Sequence, residues 1–185
     1  MDPKKTVAVV TGASRGIGRA TSLRLASDFS ALVLVARDKD KLEATAADVR
    51  SAGAETMIFD LDLSQSQSGE TVIKGTLDRY GRIDALLNIA GAVPQIDLFE
   101  MTDAQWDDGM ALKLHGARRL TMKAWDALKA STGSVVFMSE AQPSVRNQHS
   151  RRSRQSTQPS THSQRHSPNK ESKTECRSTA YRPER

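Results

Sequence analysis

The sequence predicts an α/β fold, a doubly wound parallel sheet, on three observations. Short runs such as "TVAVVT" and "ALVLVA" are apolar throughout, so both of their faces are buried. These runs alternate with longer amphipathic stretches, the order that lays helices over a parallel sheet. A glycine-rich turn, "TGASRGIG" (residues 11–18), joins the first run to the first amphipathic stretch. Right-handed crossovers then leave few topologies, and the strand order 3-2-1-4-5 is the one expected.

Each element has its own signal in the pattern. Thr6–Thr11 is the first strand, and Gly16–Asp28 is a helix with apolar residues at Ile17, Ala20, Leu23 and Leu25. Ala31–Ala36 is the second strand. The second helix runs from Asp38, a residue suited to capping, to Ala52. Thr56–Leu61 is the third strand and Gly69–Tyr80 the third helix. Ala85–Ile89 supplies the fourth strand, Thr102–Ala130 a long helical region, and Ser134–Met138 the fifth strand.

After Glu140 the composition changes. Residues 1–140 hold 17 Lys and Arg against 19 Asp and Glu, a net of −2, whereas residues 141–185 hold 10 against 3, a net of +7. The last 45 residues contain only Ala141, Val145, Cys176, Ala180 and Tyr181 from the apolar set. Such a segment buries too little surface to offset its chain entropy, so a disordered basic tail is expected there. The division is therefore residues 1–140, a folded α/β domain, and residues 141–185, a tail rich in Ser, Arg and Gln.

One cysteine, Cys176, excludes an internal disulfide and suits a reducing compartment. The first residues do not read as a signal peptide, and no apolar run approaches the roughly 20 residues of a membrane span. A cytoplasmic protein without membrane contact is expected.

The glycines carry the first chemical reading. Gly12, Gly16 and Gly18 stand between a buried strand and a helix. There they permit a tight turn and let backbone approach a pyrophosphate at the helix N-terminus. The spacing of Thr11, Gly12, Gly16 and Gly18 also matches TGxxxGxG. "NIAG" (Asn88–Gly91) comes after the fourth strand, with Ile89 where a second Asn is usual, and "DLDLS" after the third. In these motifs the sequence resembles the short-chain dehydrogenase/reductase family, over roughly residues 5–139.

The resemblance implies a dinucleotide site built from Gly12, Ser14, Arg15, Gly16, Ile17, Gly18, Arg37, Asp62, Leu63, Asn88, Ala90 and Gly91. Asp62-Leu63 fits the pair that contacts adenine, with Asp60-Leu61 as a rival register. An NAD site usually ends its second strand with an acid; here Ala36 stands there, then Arg37, with Arg15 before Gly16. Two arginines beside the adenosine ribose attract a 2′-phosphate, so NADP(H) is expected over NAD(H). Asp38 complicates that reading unless it caps the second helix.

The resemblance further implies NADP(H)-dependent oxidation or reduction of an alcohol or carbonyl compound by an Asn–Ser–Tyr–Lys set. Carried over residue by residue, the Asn falls at Lys113, the Ser at Glu140 with Ser139 one place early, the Tyr near Ser153 and the Lys near Thr157. Four residues after Tyr80 stands Asp84, and four after Tyr181 stands Arg185. The expectation is therefore a chain without catalytic residues, either an inactive oxidoreductase or a dinucleotide-binding module. Such a chain also has an incomplete family dimer interface, a fifth strand left as a free sheet edge, and small-molecule substrates only in an intact relative.

The tail reads as translation in a shifted frame. Its rival is a basic segment that holds nucleic acid through Arg151, Arg152 and Arg154, without the interleaved aromatics that stack bases. His162, His166 and Cys176 lack the paired motif of a metal site, and no metal is expected.

Overall fold

A computed structural model describes residues 6–91, 96–97, 99–139 and 178–181 of the 185-residue chain. In chain order it contains β1 (Val7–Thr11), α1 (Gly16–Leu25), β2 (Ala31–Ala36), α2 (Lys39–Ser51), β3 (Glu55–Asp60), α3 (Ser68–Tyr80), β4 (Ala85–Asn88), α4 (Asp103–Met110), a π-helical stretch (Ala111–Gly116), α5 (Ala117–Ser131), β5 (Ser134–Met138) and β6 (Ser178–Tyr181). The sheet runs β3-β2-β1-β4-β5-β6, so the expected order 3-2-1-4-5 is present with one strand added. The pairs from β3 to β5 are parallel, with Val9 opposite Val33 and Leu86.

Alternation along the central strands divides the core between the two faces of the sheet. Val7 and Val9 of β1, with Val33 and Val35 of β2, pack with Ile73 of α3 and Leu120 and Leu128 of α5. Ala8, Val10, Leu32 and Leu34 point the other way, onto Leu42, Ala46 and Val49 of α2. All five residues of β1 are buried, which explains why this strand reads as one apolar run.

The amino edge of the sheet is tied by Asp84. Its carboxylate accepts a hydrogen bond from the Val7 amide at 2.8 Å and pairs with Arg82. The hydrogen bond to Asp84 holds the Arg82 guanidinium above its ordinary pKa. Helix α2 begins as expected at Asp38, whose Oδ1 accepts from the Lys41 amide at 3.1 Å.

Helix α1 departs from the expectation. It ends at Leu25 rather than Asp28, and the residues buried against the sheet are Gly18 and Ser22, then Ala26, while Ile17 is 46% exposed. The cause is close packing. A β-carbon built on Gly18 falls 2.1 Å from the Gly12 carbonyl oxygen, so only a small face fits there. Ser22 satisfies its hydroxyl within the helix by donating to the Gly18 carbonyl at 2.8 Å.

The expected long helical region is present, but its winding is not uniform. Between α4, which opens with a reciprocal Thr102–Gln105 capping box, and α5, residues Ala111–Gly116 wind as a π-helix. That winding inserts extra backbone per turn and rotates α5 relative to α4 about the helix axis. Trp106, Leu114 and Met122 are 51, 49 and 64% exposed along this segment.

The fifth strand is not the free edge expected. Ser178–Tyr181 pairs with it antiparallel, Val135 opposite Tyr181 and Met138 opposite Ser178. An unpaired parallel strand presents a row of open N–H and C=O groups, and an extended segment containing Thr and Tyr is suited to fill it. The other residues of the expected tail lie outside the described residues.

Candidate functional site

The carboxyl ends of β1 and β4 converge on one hydroxyl. Thr11 is 2% exposed, and its Oγ1 accepts from the amides of Ile89 (2.9 Å) and Ala90 (3.0 Å) while donating to the Leu87 carbonyl (3.2 Å). The neighbouring Gly12 has φ +70°, and a β-carbon on it would lie 3.1 Å from Ala90 Cα. Its amide donates to the Val35 carbonyl of β2 at 2.8 Å. The glycine turn is thus held on one side by β2 and on the other by the turn after β4. The sequence marks Thr11 as part of the glycine motif; that it clasps the "NIAG" turn is visible only in the fold.

The turn leaves α1 with an open N-terminus. Arg15, the N-cap residue, makes no side-chain capping bond, and the first turn holds no acid. The helix therefore keeps unmatched amides and a partial positive charge at this end. Gly16, with φ +54°, is exposed and has no atom within 4 Å of a built β-carbon. Ser14 is half-buried, while Arg15 and Ile17 are exposed beside it.

The other expected residues lie around this turn and in the loops after β2, β3 and β4. Arg37, just past β2, is exposed, with Nη1 3.8 Å from Asp62 Oδ2. Asp62 lies in the loop after β3, where Oδ1 accepts from the Ser64 amide at 2.9 Å and the carbonyl accepts from the Ser68 hydroxyl at 2.6 Å. Leu63 is buried, whereas Asp60, in the rival register, is the exposed last residue of β3.

Asn88 ends β4, 4% exposed; its Nδ2 donates to Thr121 Oγ1 at 3.1 Å, and its Oδ1 is buried without a partner. Ala90 is half-buried and Gly91 exposed. The Asp38 carboxylate is committed to its own helix. Besides capping α2 it bonds Lys41 Nζ at 2.6 Å, and that bond first, then the Lys41 amide, holds it below the ordinary carboxylate pKa.

Of the positions the resemblance assigns to catalysis, Lys113 and, one place before the expected Ser, Ser139 are among the described residues. Lys113 stands on the π-helical stretch, and Ser139 is the exposed residue after β5. Tyr80 ends α3 with its hydroxyl buried and unpartnered, and the Arg79 guanidinium lies 5.3 Å from its ring centre. Asp84, four residues on, anchors the amino edge of the sheet, opposite the glycine turn. Glu140, Ser153, Thr157, Arg151, Arg152, Arg154, His162, His166, Cys176 and Arg185 lie outside the described residues. Among the described residues no three His, Cys, Asp or Glu side chains group as a metal site, and no helix is long and apolar enough to cross a membrane.

Comparison with known proteins agrees with this geometry. The family description "short chain dehydrogenase" matches residues 6–150. The chain is 36% identical over 116 residues to the short-chain reductase protein NovJ of Streptomyces niveus, covering 63% of this chain and 44% of that protein. It is 30% identical over 142 residues to the 3-oxoacyl-[acyl-carrier-protein] reductase FabG of Staphylococcus aureus, covering 76% of this chain and 58% of that one.

Among solved structures, a metagenomic short-chain oxidoreductase in complex with NADP is 37% identical, with a TM-score of 0.66, over 70% of this chain and 59% of that one. L-sorbose reductase from Gluconobacter frateurii, complexed with NADPH and L-sorbose, is 28% identical, with a TM-score of 0.67, over 73% and 53%. The chain spans about half the length of the curated relatives it matches. Glycine turn, sheet order and the matched 6–150 segment together place the chain in the short-chain dehydrogenase family.

Proposed function

We propose that this chain binds NADP(H) in the crevice above β1 and β4 and does not complete a catalytic cycle. The observation that carries the reading is the open N-terminus of α1 set behind a turn whose two glycines adopt positive φ. The residues present fit the pyrophosphate of a dinucleotide. Backbone is free to approach it, α1 points unmatched amides at it, and no acid of the first turn opposes it.

Preference for the 2′-phosphate rests on charge. Arg15 and Arg37 are exposed beside the turn, and the one acid that would favour an unphosphorylated ribose, Asp38, is engaged by Lys41. The cofactors of the related oxidoreductase and of L-sorbose reductase, NADP and NADPH, support the same choice. When bound, the nicotinamide supplies or accepts hydride. This chain's residues bind and orient the dinucleotide.

Turnover is not expected, because no tyrosine precedes a lysine by four residues and the hydroxyl of Tyr80, at the end of α3, is buried. The ancestral substrate class is a small alcohol or carbonyl compound. The division near Glu140, with residues 141–185 as the product of a shifted frame, is part of the same reading. A tyrosine and lysine four codons apart in another frame of the DNA would support it.

Thermal unfolding of the full chain with NADPH, with NADH and with neither tests the binding. NADPH is expected to raise the transition more than NADH does, and Arg37→Gln to remove most of the difference. Equal shifts would overturn the cofactor choice, and no shift would overturn binding. Steady NADPH consumption with any of a panel of carbonyl compounds would overturn the claim of inactivity.

A further inference from the structure

Lys113 differs from the other described lysines. Lys41 and Lys123 pair with Asp38 and Glu70, and Lys39, Lys74 and Lys129 are exposed on helix surfaces. Lys113 is half-buried, and among the described residues no carboxylate lies within ion-pair distance of it. Withdrawing an ammonium from water costs free energy unless an anion compensates it.

Its position is built rather than accidental. A β-carbon on Gly116 would fall 2.6 Å from the Leu63 carbonyl oxygen, so the end of the π-helical stretch is pressed against the loop after β3. Three residues earlier Lys113 extends over the turn after β4. A β-carbon on Gly91 would lie 2.6 Å from Lys113 Cδ and 3.1 Å from Nζ. The absence of a side chain at Gly91 makes room for the lysine stem. Irregular helical turns of this kind recur at functional sites, and ligands of open α/β sheets bind outside the carboxyl ends of the strands.

We propose that Lys113 is a specificity-determining residue that recognises a negatively charged group on a small carbonyl or alcohol ligand lying beside the dinucleotide. This rests on the cofactor reading above only for the place of the crevice. The lysine is a compact cation whose stem is held by packing, so it selects charge rather than a particular anion shape. A charge-assisted contact of this kind distinguishes an anionic ligand from its neutral analogue by about tenfold in affinity.

The test is a pair of probes that differ in charge, pyruvate and methyl pyruvate, titrated by ligand-observed NMR into the full chain with and without saturating NADPH. Pyruvate is expected to bind about tenfold more tightly than the ester. Lys113→Gln should remove the preference, Lys113→Arg should keep most of it, and Gly91→Ala should weaken it by displacing the stem. Thermal melts check that each variant folds. Equal affinity for both probes in the native chain, with or without NADPH, overturns the inference. So does a preference that survives Lys113→Gln. If NADPH fails to bind but the pyruvate preference is present and lost in Lys113→Gln, the cofactor reading falls and the anion site stands.

Discussion

The Ala90 amide donates to the Thr11 hydroxyl across 3.0 Å, joining residues 79 positions apart in the chain. That oxygen also accepts from Ile89 and donates to Leu87, so one buried side chain ties the end of β1 to the turn after β4. The candidate site lies beyond the carboxyl ends of these two strands.

Thr11→Val keeps the shape of the side chain and removes the hydroxyl. The Ile89 and Ala90 amides are left without their acceptor in a half-buried turn, which costs about 1–3 kcal/mol. Urea unfolding is expected to show that loss as a lower midpoint with an unchanged slope. NADPH affinity should fall with it, because the turn after β4 is no longer fixed. A variant as stable as the native chain would mean that the clasp is incidental.

Gly18→Ala sets two effects against each other. Alanine favours a helix interior by about 1 kcal/mol over glycine. The added carbon, however, lies 2.1 Å from the Gly12 carbonyl oxygen, and backbone cannot step aside without moving α1. Overpacking of this kind costs about 1–3 kcal/mol, so the clash decides the sign. Both stability and NADPH binding should drop. Gly53→Ala is the control: its φ of +101° strains alanine, yet nothing lies within 4 Å, so stability alone should fall.

The added strand has a separate consequence. Ser178–Tyr181 covers the ladder of β5, which would otherwise present open backbone groups. Deleting residues 178–185 is expected to leave the parallel strands folded but to promote association, read by light scattering as a concentration-dependent rise in mass. A truncated chain that remains monomeric at high concentration would show that β5 needs no cover.

Much of this architecture is legible in the sequence because it rests on local chemistry. The buried strands are visible in "VAVV" and "ALVLV", and Asp38 caps α2 as its residue type predicts. The features that escape a reading of the sequence depend on distant partners. The inward face of α1 is Gly18 and Ser22 because Gly12 crowds it, and no periodicity of apolar residues records that. The π-helical stretch leaves no compositional trace, since "ALKLHG" suits an α-helix equally well. The strand at Ser178 sits in a polar segment and forms on β5, whose open edge supplies the pairing. Of the candidate site, the glycines and arginines are readable as motifs, whereas the stem of Lys113 over Gly91 exists only after the chain has folded.

Asp38 gives the last prediction, a pH dependence whose sign is set by its bonds. The Lys41 ammonium and amide hold the carboxyl below its ordinary value of 3.8. A group whose pKa is depressed by folding stabilises the folded state above its unfolded pKa, and loses that contribution as pH falls through the folded value. The difference in stability between the native chain and Asp38→Ala should therefore be constant at neutral pH and shrink below pH 3.8. Asp38→Asn separates the two parts of the interaction. It retains an acceptor for the Lys41 amide but not the charge, so its deficit should be smaller and should fade at high salt. Denaturant melts of the three chains from acid to neutral pH measure both effects. A difference that persists undiminished well below pH 3.8 would mean that Asp38 acts through the shape of the cap rather than through its charge.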